Sequence, residues 1–146
     1  QIPRQLDGFA FLVPRGQGLR ILGCIWSSAL FPERAPAGQA LLTCFYGGAT
    51  DPEAAAWKPE RAVTEAEGEL SRVFHRAIRA GYSRVIRWER AIPQYPLGHC
   101  ARIDTIRKGL EGFPITLVGN YLDGISLNHC VEGVGAVPDS LADPHR

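Results

Sequence analysis

The sequence predicts an α+β fold, a mainly antiparallel or mixed sheet with flanking helices. Three observations carry that expectation. Short apolar runs, separated by turns rich in glycine and proline, fill the first third of the chain. A long stretch with helical spacing follows them. A strand, a glycine turn and a helix then close the pattern.

The first run covers residues 9–13 and stops at Pro14-Arg15-Gly16-Gln17-Gly18, a turn between two strands. The second, residues 19–26, is almost continuously apolar, so both of its faces should be covered. A loop over residues 27–39 leads to a third strand at 40–46. Short links between three strands predict an antiparallel meander. Gly47-Gly48 opens a long loop that runs to Pro59. Ala66, Leu70, Val73, Phe74, Ala77 and Ile78 then fall at helical spacing. Thr64 with Glu67 three residues on reads as a capping box, and Gly81 as the stop. Early Glu65, Glu67 and Glu69 and late Arg76 and Arg79 suit the helix dipole. Residues 84–89 read as another strand. Two prolines make 91–99 irregular. A helix is expected over 100–110, a short strand over 115–118, and a last helix from Ile125 or Ser126. Residues 138–146 read as a flexible tail.

Bulk numbers exclude several classes. Hydrophobic residues at 45% and charged residues at 21% place the chain among globular domains rather than disordered segments. A net charge of +1 gives no field that would attract nucleic acid or an anionic membrane. The apolar runs are too short to span a bilayer. Position 1 is glutamine and methionine is absent throughout, which predicts a chain that is processed, excised or a fragment of something longer. Cys24, Cys44, Cys100 and Cys130 form no metal-type spacing and are expected reduced and buried, as in a cytoplasmic protein.

Chemistry could sit in two places. The unit from Ile115 to Val131 brings glycines to a helix N-terminus, where free N–H groups suit an anion or a carbonyl edge; an ordinary strand–helix connection has the same pattern. The loop 91–99 carries Gln94, Tyr95 and His99, either as a pocket wall or as a stiff connection. The pairs His99-Cys100 and His129-Cys130 do not make a zinc site, because neighbouring helical residues point about 100° apart. No acid pair, no serine elbow and no phosphate-binding glycine loop is present.

Five motifs in order then show a resemblance. Gly8-Phe9-Ala10-Phe11-Leu12-Val13-Pro14 is the first. The second runs from Leu22-Gly23 through Ser27-Ser28 to Phe31-Pro32-Glu33-Arg34-Ala35-Pro36. Gly47-Gly48-Ala49-Thr50 follows. Ala91-Ile92-Pro93-Gln94-Tyr95 with Gly98-His99 is the fourth, and Gly119-Asn120 through Gly124 and Leu127 to Cys130 the fifth. Together they resemble the C-terminal part of the flavin-dependent protoporphyrinogen oxidases, of the amine oxidase superfamily.

The resemblance implies a partial substrate-binding domain over residues 1–98 and a returning helix–strand–helix of an FAD-binding domain over 99–137. It implies FAD as cofactor, held through Gly119, Asn120, Gly124, Ile125, Ser126 and Leu127. Cys100 joins them where some relatives have an aromatic residue against the flavin. Ala29, Leu30, Leu41, Thr43 and Phe45 are the implied substrate-binding residues. The activity implied is oxidation of protoporphyrinogen IX, or of coproporphyrinogen III, in haem biosynthesis, with hydride passing to flavin and molecular oxygen reoxidising it. The partner it implies is the N-terminal Rossmann segment, without which this chain would be inactive. Any peripheral membrane contact would belong to helices upstream. The alternative is a non-catalytic porphyrin-binding module or one half of a split flavoenzyme. No catalytic side chain and no metal are implied.

Overall fold

The computed structural model describes residues 8–135 and 137, so the expected tail at 138–146 lies outside the described residues. The chain forms two compact units that divide between Glu89 and Arg90.

The first unit is built on the meander. Strands β1 (Ala10–Leu12), β2 (Gly23–Trp26) and β3 (Leu42–Phe45) pair antiparallel in the order β1-β2-β3. Phe11 lies opposite Cys24, and Cys24 opposite Cys44. Side chains alternate across a strand, so this register sorts the sheet into two faces. Phe11, Cys24, Trp26, Leu42, Cys44 and Tyr46 share one face and pack into the core with Ile21, Leu70 and Ile78. Ala10, Leu12, Ile25, Thr43 and Phe45 share the other, where Leu12 is 84% and Phe45 45% exposed. On that second face β2 itself is covered at Gly23 and half-buried at Ile25, while its neighbours Leu12 and Phe45 stand exposed, so the expected cover is complete on one face and partial on the other.

Helix α1 (Ser27–Leu30) and a 3-10 turn (Pro32–Arg34) lie within the first expected loop, and α2 (Pro52–Ala55) within the second. Helix α3 (Pro59–Val73) starts earlier than the capping box suggests. Proline stands at its first turn, where its missing N–H is no loss. Thr64 is inside the helix, and its hydroxyl donates back to Glu60 O. The helix also ends before Gly81, because His75 takes a left-handed φ of 50°. The chain then folds back along α3. Ile78 N donates to Ser71 Oγ and Ala80 N to Glu67 Oε1, and Ile78 enters the core without being helical.

Glu69 of α3 is buried, yet its carboxylate accepts from Arg20 N at 2.6 Å, Ile21 N at 2.8 Å and the Tyr46 hydroxyl at 3.1 Å. One charged group thus ties the approach to β2 and the exit of β3 to the helix. Burial, and then the Glu69 carboxylate, push the Tyr46 phenol above its ordinary range. Nearby, Arg20 is held by both Asp51 oxygens and lies over the Trp57 ring.

The strand expected at 84–89 does not form. Among the described residues no strand pairs with it, and a strand needs a neighbour to take its backbone groups. Trp88 there is 73% exposed.

The second unit contains α4 (His99–Gly109) and α5 (Leu127–Val134), close to the two helices expected. The strand expected at 115–118 is likewise unpaired and irregular. All four cysteines are free thiols, but only Cys24 is buried; Cys44 and Cys130 are half-buried and Cys100 is exposed.

Candidate functional site

Two sites stand out, one in each unit. In the second unit, the turn between residues 119 and 126 meets the start of α5. Ser126 caps that helix in extended conformation, its Oγ accepting from His129 N at 3.1 Å. The amides of Leu127 and Asn128 precede the first intrahelical bond and meet no acceptor among the described residues. The His129 ring lies against Gly124, where a Cβ would sit only 1.9 Å from Nδ1. Any side chain at position 124 would displace that ring. Asp123 pairs with Arg107 of α4 at 2.5 Å.

A cavity of about 330 Å³ opens beside this turn. Gly119, Gly124, His129, Leu122, Val118 and Arg107 are among its lining residues. Of the residues implied to hold FAD, the structure brings Gly119 and Gly124 to the cavity wall. Asn120 holds the turn through its carbonyl, which accepts from the Tyr95 hydroxyl at 2.6 Å. Ser126 is the cap. Ile125 and Leu127 project outward, Leu127 at 79% exposure, and Cys100 is exposed on the first turn of α4, away from the cavity wall. Sequence reading missed Arg107 and His129 as cavity residues. Their signal was present only as spacing, Arg107 at the end of one helix and His129 three residues past a serine cap.

In the first unit the site is the open face of the sheet. Thr43 and Phe45 of the implied substrate residues lie on it. Ser27 Oγ and Thr43 Oγ1 are 2.8 Å apart, and Leu41 N donates to Ser28 Oγ at 2.9 Å, so α1 is fixed to the start of β3. That places Leu41 at the joint and Ala29 and Leu30 on an exposed helical turn beside the face. Leu12 and Ile25 are added by the register, and no residue-type argument singles them out. The result is a flat apolar surface with a single hydroxyl, already engaged. It offers contact area to a flat apolar ligand and no acid or base.

Among the described residues there is no cluster of three His, Cys, Asp or Glu that could hold a metal, and no helix long and apolar enough to cross a membrane.

No protein-family model matches the chain. Curated proteins do. Over 94% of its length it is 39% identical to the chloroplastic protoporphyrinogen oxidase of Nicotiana tabacum, and over 97% it is 35% identical to that of Oryza sativa. The chain matches one region of the protoporphyrinogen oxidases. It spans 26% and 27% of those two relatives, about a quarter of their length. The coproporphyrinogen III oxidase of Bacillus subtilis is 28% identical over 92% of the chain. The fold agrees with a crystal structure from Exiguobacterium sp. 255-15, provisionally assigned as a protoporphyrinogen oxidase. That structure superposes with a TM-score of 0.71 at 22% identity, covering 96% of this chain and 32% of its own.

Proposed function

We propose that this chain supplies the substrate face and the flavin-contacting turn of an FAD-dependent oxidase that converts protoporphyrinogen IX, or coproporphyrinogen III, to the porphyrin in haem biosynthesis. The observation that carries the reading is the open sheet face. Leu12, Ile25 and Phe45 present an apolar plane of the kind that takes one side of a macrocycle. The names of the relatives support the same substrate class.

The second-unit turn suits a flavin. Its glycines leave the backbone approachable, the cavity adjoins it, and the free Leu127 and Asn128 amides suit an electron-rich carbonyl edge. Gly119, Asn120, Gly124, Ile125, Ser126 and Leu127 would hold the group, with Cys100 outside the contact. When bound, FAD would supply hydride acceptance from the macrocycle, and molecular oxygen would restore it. The residues of this chain orient and exclude water; none is placed to move a proton. The remaining FAD contacts would come from a Rossmann segment. Cytoplasmic placement, with any membrane contact made by other helices, completes the reading.

An exposed apolar stripe along α5, Leu127, Val131 and Val134, favours a second form of the reading, in which the chain is one half of a split flavoenzyme or a porphyrin-binding module. One experiment separates them. The full-length protein is supplied anaerobically with protoporphyrinogen IX and then with air, and porphyrin fluorescence is followed. Turnover that requires FAD supports the oxidase. Porphyrin binding without FAD-dependent turnover supports the module, and neither result refutes both.

A further inference from the structure

Tyr95 and His99 belong to one motif, and Asn120 to another 25 residues on. The structure joins them. The Tyr95 and His99 rings stack with centroids 4.1 Å apart and planes 8° from parallel. The Tyr95 hydroxyl donates to Asn120 O at 2.6 Å. Gly98 makes the stack possible, because it enters α4 at a left-handed φ of 80° that residues with a Cβ rarely adopt. His99 N donates to Pro96 O at 3.0 Å, which closes the loop behind the stack. His99 Nε2 is buried without a hydrogen-bond partner among the described residues, and the ring lies flat against Tyr95 as its backing.

Pinning a carbonyl pins its whole peptide plane. With Asn120 O turned toward Tyr95, the Tyr121 N–H must point the opposite way. It meets no acceptor among the described residues. We infer that Tyr95, backed by His99, is a positioning residue that holds the Tyr121 N–H as a donor for an oxygen of the bound dinucleotide cofactor. The inference rests on the flavin reading above and adds to it a residue that does not itself touch the flavin. Its chemistry is specific: the hydroxyl fixes the turn, and the aromatic backing fixes the hydroxyl.

The test uses the full-length protein. FAD affinity is measured by flavin fluorescence titration, well below each variant's melting temperature, for wild type, Tyr95→Phe and His99→Phe. Backbone amide exchange across residues 119–124 is measured on the same proteins. Tyr95→Phe keeps the stack and removes one hydrogen bond, so FAD binding should weaken by about tenfold and the turn should exchange faster. His99→Phe keeps a flat ring and should behave as wild type in both. A purely structural role would lower the melting temperature and speed exchange while leaving FAD affinity unchanged, and that result overturns the inference. So does Tyr95→Phe exchange that matches wild type. Wild-type protein that takes up no FAD, with exchange still faster in Tyr95→Phe, overturns the flavin reading and the cofactor half of this inference while leaving the clip itself in place.

Discussion

Replacing Glu69 with alanine should remove most of what registers the sheet against α3. The carboxylate is 6% exposed and accepts from two backbone amides and a phenol. Hydrogen bonds to a charged group contribute about 1.5–3 kcal/mol each, and a buried donor left unpaired costs about 1–3 kcal/mol. The three bonds share one acceptor and are not additive. Part of their value is also offset by the desolvation of the carboxylate. A loss of about 4 kcal/mol follows for Glu69→Ala. Glu69→Gln keeps one acceptor and turns an NH2 toward the donors, so it should lose about 2 kcal/mol. Urea unfolding followed by tryptophan fluorescence reports both, since Trp26 and Trp57 are buried. Tyr46→Phe alone should cost about 1 kcal/mol, and much less in the Glu69→Ala background, because the two groups form one contact. A Glu69→Ala loss below about 1 kcal/mol would refute the reasoning, as would additivity with Tyr46→Phe.

Three further outcomes are expected. Asp51 is held below its ordinary value, first by its hydrogen bond to Arg20, so its contribution is present at neutral pH and is lost as the pH falls below about 4; Asp51→Asn should flatten the fall in melting temperature between pH 5 and pH 3. Phe45→Ser on the open face should change stability by less than about 1 kcal/mol, yet abolish macrocycle binding measured by porphyrin fluorescence quenching. Gly124→Ala should displace His129 from the turn and destabilise the start of α5 by about 1–3 kcal/mol, seen as lost helical signal in circular dichroism.

The meander was legible because its turns are local. The Pro14 to Gly18 turn, and a link to β3 that holds only α1 and a 3-10 turn, leave three apolar runs to pair with their sequence neighbours. Residues 84–89 are another short run with apolar Val85, Ile86 and Trp88, but pairing there would be non-local, and composition holds no information about a distant partner. The α3 start was misplaced because two start signals compete. Proline at position 59 and the Thr64–Glu67 pair both mark N-termini ahead of the periodic residues, and the helix takes the earlier one, leaving the Thr64 hydroxyl to donate back to Glu60 O. The glycine turn and the Ser126 cap were visible as a helix start. The face of the sheet was not, since an apolar residue on either side of β2 reads alike until Glu69 and Leu70 show which side the helix covers.

The contact from Tyr95 to Asn120 encloses α4 and the turn behind it in a closed loop of chain. Closing such a loop costs entropy that grows only logarithmically with its length, so doubling it adds about 0.6 kcal/mol. Insertions between Gly112 and Phe113, exposed residues outside the cavity lining, should therefore be nearly neutral for the site. The three-residue step from Tyr95 to Gly98 has no such tolerance, because one added residue would rotate His99 out from under the ring. Length variation among proteins of this kind should collect after α4 and avoid the stretch before it.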